Sequence, residues 1–158
     1  MITPPQGRLT LTIETPDGRL VARREARNLV VKGGAQIIAG LFSGKGKTAI
    51  DNVRIGFGKA TADVSSTALT APPQAIDAAH LRAPLTGDDF TVDASSPTSV
   101  TVRITAPFSP QEDKIEGVSE AGLFAGDTLY NQVVFEPITL VRDHVITFFW
   151  QVDFPFGR

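Results

Sequence analysis

The sequence predicts a mainly β fold, an antiparallel β-sandwich or partly closed barrel with one short α-helix, and three observations carry that expectation. Apolar and polar residues alternate with period two from Arg8 to Thr15, from Val100 to Ala106 and from Ile146 to Phe154. Turn formers separate these runs, with 14 Gly and 11 Pro in the chain. The best helical spacing lies in one segment, Gly33 to Ser43. A length of 158 residues suits one domain, 1–158, and no Pro-, Gly- or Ser-rich linker divides it.

In the first strand Leu9, Leu11 and Ile13 point one way and Thr10, Thr12 and Glu14 the other. Pro16, Asp17 and Gly18 supply turn chemistry, so Arg19 to Glu25 returns as a hairpin arm. Its Arg23 and Arg24, with Arg27 just beyond, suit a wet face or a sheet edge, where charge discourages aggregation. Leu29 to Val31 pairs in a sheet before the helix. In that helix Ile37 with Leu41 and Ile38 with Phe42 form two i,i+4 pairs, predicted to plug against a sheet, with Asn28 as an imperfect cap. Gly34 and Gly40 each weaken it by roughly 1 kcal/mol relative to Ala.

Val53 to Gly58 reads as a strand, and Lys59 to Pro84 as a long excursion with one strand around His80 to Leu85. Phe90 to Asp93 is a short strand, and the Val100 to Ala106 strand is expected to end at Pro107 and Pro110. Ile115 to Phe124 is a strand with an irregularity at Gly117 or Gly122. Ala125, Gly126 and Asp127 turn it into Thr128 to Phe135. In the last strand Ile146, Phe148, Trp150, Val152 and Phe154 form one apolar face that needs a core, so truncation before Ile146 is expected to abolish folding.

The 15 basic and 17 acidic side chains leave a net charge of -2, which provides no field to attract nucleic acid. There is no Cys, hence no disulfide and no thiolate metal site. No apolar run approaches the ~20 residues that span a bilayer, and the N-terminus lacks a basic-then-apolar leader. Neither nucleic acid nor membrane is an expected partner, and assembly in the cytoplasm is the expected setting.

No motif supports catalysis. Gly44-Lys45-Gly46-Lys47-Thr48 ends like a phosphate-binding loop, but Leu41 stands where its first Gly belongs, and it follows a helix rather than preceding one. Gly56-Phe57-Gly58 lacks the third Gly of a dinucleotide fingerprint, since residue 61 is Thr. His80 and His144 have no Cys and no helical-spaced partner, and read as surface or turn residues. Asp88 and Asp89, and Glu112 and Asp113 with Glu116, read as solvated loop charge. No Gly-x-Ser-x-Gly elbow surrounds Ser119. The chain is therefore expected to be no enzyme and to hold no cofactor or metal.

Asn28-Leu29-Val30-Val31, the helix ending Ile37-Ile38-Ala39-Gly40-Leu41-Phe42, and Val53-Arg54-Ile55-Gly56-Phe57-Gly58 follow one another in order. Ser119-Glu120-Ala121-Gly122-Leu123-Phe124, Leu129 to Phe135 and Ile146 to Phe154 complete the series. From Asn28 to Phe154 this outline resembles small tail-associated structural proteins of bacteriophages and related contractile injection particles. The resemblance implies a non-enzymatic component of a baseplate, tail tip, fibre attachment or particle surface. It further implies several symmetric copies, partnered by other particle proteins, in a virion assembled in the host cytoplasm.

Phe149, Phe154, Phe156 and Arg158 are the candidate assembly interface, because terminal aromatics without an intramolecular home make interface anchors. Deletion of Phe156 to Arg158 is expected to spare the fold. The alternative role is a carbohydrate-binding β-sandwich, in which Phe or Trp side chains would stack on a glycan.

Overall fold

The computed structural model describes residues 6–46 and 48–157, so Lys47 and Arg158 lie outside the described residues. Its strands are β1 (Gln6–Glu14), β2 (Leu20–Arg27), β3 (Leu29–Val30), β4 (Asn52–Gly56), β5 (Arg82–Pro84), β6 (Phe90–Asp93), β7 (Ser99–Phe108), β8 (Lys114–Ala125), β9 (Thr128–Leu129), β10 (Asn131–Val141) and β11 (Val145–Pro155). One helix, α1 (Lys32–Ser43), joins β3 to β4. Two antiparallel sheets face each other: the first runs β2-β1-β11-β7-β6, the second β3-β10-β8-β4-β5 with β9 on β8. The fold is thus the expected mainly-β sandwich with one short helix, and the sheets do not close into a barrel.

Alternation decides which side chains meet between the sheets. Leu9, Leu11 and Ile13 of β1, Ile104 and Ala106 of β7, and Ile146, Phe148, Trp150 and Val152 of β11 supply one wall. Val53, Ile55, Ile115, Val118, Ala121, Leu123, Val133 and Leu140 supply the other. β11 lies between β1 and β7, with Trp150 opposite Leu9 on one side and Ile104 on the other. Phe148 stacks on Trp150 and meets Phe108 edge-on, with centroids 6.2 and 5.9 Å apart. The last strand is therefore central to its sheet.

Of the two prolines expected to end β7, Pro110 lies beyond the strand and Pro107 lies inside it, and Pro137 lies inside β10, which was expected to end at Phe135. β7 runs through Pro107, which pairs with Thr147 of β11. β6 covers β7 only from Thr101 to Ile104, so the other flank of Pro107 is free and a missing N–H there breaks no ladder bond. β10 runs on past Phe135 through Pro137, where the register with β8 shifts between Val134 and Ile138. That bulge exposes carbonyls, and Arg24 of β2 donates to two of them, to Glu136 O at 3.0 Å and Pro137 O at 3.3 Å. The basic run on the edge strand thereby latches one flank of the sandwich to the opposite sheet. A second bulge falls at Gly117, whose φ of 74° supplies the irregularity expected in β8.

α1 departs further from expectation. Val31, not Asn28, is its N-cap, and Gly44 ends it in the left-handed region. Its large apolar residues do not plug into the core: Ile37 reaches it, but Ile38 and Leu41 are 39% and 43% exposed and Phe42 is 94% exposed. The glycines form the docked side instead. A Cβ on Gly34 would lie 2.1 Å from the Tyr130 carbonyl oxygen, so the helix approaches the junction of β9 and β10 backbone to backbone.

Candidate functional site

Three places on the sandwich gather polar or exposed apolar groups. The first is the outer face of β8, where Glu120 and Phe124 point away from the core and the long excursion after β4 folds back over them. Glu120 is 1% exposed. Its Oε1 accepts the N–H groups of Gly58 and Thr70, both at 2.8 Å, and its Oε2 accepts Gln132 Nε2–H at 2.7 Å. Gln132 Oε1 in turn accepts the Asp63 N–H, and Ser119 Oγ donates to the Gly58 carbonyl. No Lys or Arg pairs with Glu120 among the described residues; backbone and amide donors compensate its charge. This clasp fixes both ends of the stretch between Gly58 and Thr70.

The rest of the Glu-Ala-Gly-Leu-Phe run has equally local reasons. A Cβ on Gly122 would meet the Asn131 carbonyl oxygen at 2.6 Å. Asn131, fully buried, accepts the Leu123 N–H through its side chain, which interrupts the ladder between β9 and β10. Phe124 carries the guanidinium of Arg54 over its ring at 4.3 Å.

Arg54 belongs to the second place, a polar depression of about 410 Å³ lined by Asp51, Asn52, Arg54, Arg82, Gly126 and Asp127. It donates to Asn52 Oδ1 at 2.8 Å, Gly126 O at 2.8 Å and Asp127 Oδ1 at 2.7 Å. The hydrogen bond from Arg54 holds Asp127 below the usual carboxylate range. The guanidinium already has protein acceptors on it, so its geometry locks the Gly126–Asp127 hairpin turn.

The third place is an apolar groove of about 460 Å³ on the flank opposite the Arg24 latch. There the edge strands β5 and β6 are only three and four residues long. The groove lies between Phe90, Val92, Val102 and Val152 of the first sheet, Leu123 and Tyr130 of the second, and Ile38 and Leu41 of α1. Val92 is 66% exposed. Tyr130 is 3% exposed, and its hydroxyl has no hydrogen-bond partner among the described residues. Burial pushes its phenol up to about 12.

The residues singled out as a candidate interface are not brought together. Phe149 stands on the outer face of the first sheet between Thr10 and Thr105, 42% exposed. Phe154 turns inward, half-buried, and lines the groove. Phe156 follows β11, 52% exposed, its N–H bonded to Thr98 O at 2.9 Å. Arg158 lies outside the described residues. The exposed side of α1 was legible as an apolar stripe but assigned to the core; Gly33 and Gly34, which abut the Leu129 and Tyr130 carbonyl oxygens, were the signal that small residues, not large ones, make the docked side.

The titratable groups fall into local roles. His80 Nδ1 lies 2.9 Å from Glu112 Oε1, a half-exposed pair joining the excursion to the β7–β8 loop. Asp113 pairs with Arg142 and Glu116 with Lys114. Asp89 closes a capping box with Thr86. Hydrogen bonds from Ser95 and Arg103 bring Asp93 down to about 2. Ser119 is held by Gly58, and Trp150, at 1% exposure, offers no stacking face for a sugar. Among the described residues no three His, Asp or Glu side chains are grouped to hold a metal ion, and no helix is long and apolar enough to cross a membrane. Comparison with protein-family models, with curated proteins and with solved structures finds no match to the chain.

Proposed function

We propose that the chain is a non-enzymatic structural subunit of a phage-tail-like particle, present in several copies and held there by protein–protein contacts. Its partners are further copies of itself and neighbouring proteins of the baseplate, tail tip, fibre attachment or particle surface. It reaches the virion by assembly in the host cytoplasm. The observation that supports an assembly role is Phe42: a phenylalanine 94% exposed at the end of a helix whose Ile38 and Leu41 are also partly exposed. An aromatic ring left in water beside other apolar groups is what a hot-spot anchor looks like before its partner arrives. The clasp and the Arg54 cluster are consumed by internal bonds, which fits a rigid building block better than a reaction centre.

Mass from light scattering, followed by proteomics of particles purified from the source, tests this reading. A multimer, or recovery from the particle, is the expected result, with Phe42→Asp lowering either by an order of magnitude or more while the melting midpoint stays put. A chain that stays monomeric at high concentration and is missing from particles would refute it.

A further inference from the structure

We propose that copies of this chain join head to tail through the two ends of the five-stranded sheet, with β2 of one copy adding in parallel beside β6 of the next. The contact names the surface for the multicopy subunit proposed above and rests on that reading. β2 and β6 are the edge strands of one sheet, and neighbouring strands alternate in direction across it, so β2 and β6 run the same way. Copies set side by side in one orientation therefore meet as parallel strands. Repeated, such a contact between unlike surfaces closes into a ring or runs on as a filament.

Charge sorts the two edges. β2 carries Arg23, Arg24 and Arg27 against Glu25 alone, whereas Gly87 to Asp93 carries Asp88, Asp89 and Asp93 with no Lys or Arg. β2 against β2, or β6 against β6, brings like net charge together, so the unlike edges are the ones that attract. Arg23 and Arg27 stand four residues apart, as do Asp89 and Asp93. With Glu25 set beside Thr91, both Arg–Asp pairs come into line at once. Arg27 is exposed and has no ion-pair partner among the described residues.

The backbone accepts the same register. Asn28 N–H bonds to Gly7 O, so by alternation the odd residues of β2 turn N–H and C=O outward. Phe156 N–H bonds to Thr98 O, so the odd residues of β7 face β6, and Phe90 and Val92 turn their own groups outward. Beside Thr91, Glu25 N–H then meets Phe90 O, Val92 N–H meets Glu25 O, and Arg27 N–H meets Val92 O. The next pair along drops out on both sides: Gly87 O takes the Phe90 N–H, and Arg23 O takes Arg24 Nη1–H.

Sedimentation velocity over a concentration series tests the contact, with melting curves as the control for folding. The parent is expected to grow in mass with concentration past the dimer. Val92→Pro removes an outward N–H that β7 does not use, so it should fold like the parent and associate at least tenfold more weakly. Arg27→Glu should weaken association roughly three- to tenfold. Arg27→Glu and Asp93→Arg chains, each lighter than the parent alone, should recover parental mass when mixed, because alternating copies pair unlike charges at every contact. If Asp93→Arg does not fold, Val92→Pro and Arg27→Glu decide the matter. A monomeric parent, folded Val92→Pro and Arg27→Glu chains that associate like the parent, or a mixture of folded variants no heavier than either alone would overturn the proposal. Multimers indifferent to these variants but lost in Phe42→Asp leave the assembly reading standing and place the contact at α1.

Discussion

Replacing Glu120 by Ala isolates what the clasp contributes. The carboxylate accepts three hydrogen bonds, from Gly58 N, Thr70 N and Gln132 Nε2. Its loss strands three donors, each costing about 1–3 kcal/mol if it stays buried. The two amides belong to a surface excursion that can peel off and rehydrate, which places the expected loss near the lower end, about 3–5 kcal/mol. That is a large share of a domain's total of about 5–15 kcal/mol. Glu120→Gln should fall between parent and Ala. Its amide nitrogen meets Gln132 Nε2, and flipping Gln132 only moves the mismatch to the Asp63 N–H, so one bond is lost either way. Urea unfolding gives the free energies, and native-state hydrogen exchange reads the Gly58 and Thr70 amides directly. The reasoning fails if Glu120→Ala costs under about 1 kcal/mol and both amides remain as protected as those of the β1–β11 ladder.

Gly34→Ala should destabilise by about 2 kcal/mol or more despite the better helix propensity of Ala, because its Cβ meets the Tyr130 carbonyl oxygen at 2.1 Å. Gly87→Ala, with nothing within 4 Å of its Cβ, should stay within about 0.5 kcal/mol in the same denaturation assay. The chain has one Tyr, so phenolate absorbance reads Tyr130 alone and should show a midpoint near 12. Since the folded value is raised, the stability tied to it is complete below the ordinary value of 10.0 and is lost as pH climbs toward 12; Tyr130→Phe should remove that part of the alkaline decline. Deleting Phe156 to Arg158 should leave the melting midpoint within a few degrees of the parent, because Phe156 is half exposed and follows the β11 ladder, whereas a chain ending before Ile146 should show no cooperative unfolding.

How much of this was legible follows from which forces act locally. The face Ile146, Phe148, Trp150 and Val152 was read correctly because alternation in a central strand is dictated by burial on one side. The hairpin turns at Gly18 and Gly126 were read from chemistry that demands positive φ, and both adopt it. Pro107 misled because whether a proline breaks a strand depends on the neighbour across the ladder, which the chain does not state locally. Helix α1 was found but turned the wrong way round: its periodicity identified a stripe, yet backbone contact at Gly34 decided which side docks. Phe154 was placed on the core face of β11 yet also grouped with the interface aromatics; in the fold it lines a groove made by three separate elements. Glu120 sat in plain view as an acid inside the apolar run Val118 to Phe124. Its partners Gly58, Thr70 and Gln132 are far away in sequence, so only the fold gives it a role.

The backbone contact at the start of α1 has a mechanical consequence. A helix of 12 residues is about 18 Å long, and this one is fixed by its first turn, with Ile37 as the one large side chain in the core. It is a lever with its fulcrum at Gly34 and its load at Phe42. Force applied to the far end reaches the Tyr130 carbonyl first, passes to Asn131, and from its side chain to the Leu123 amide of β8. A pull on that exposed ring would thereby be delivered to β8, at the centre of the second sheet.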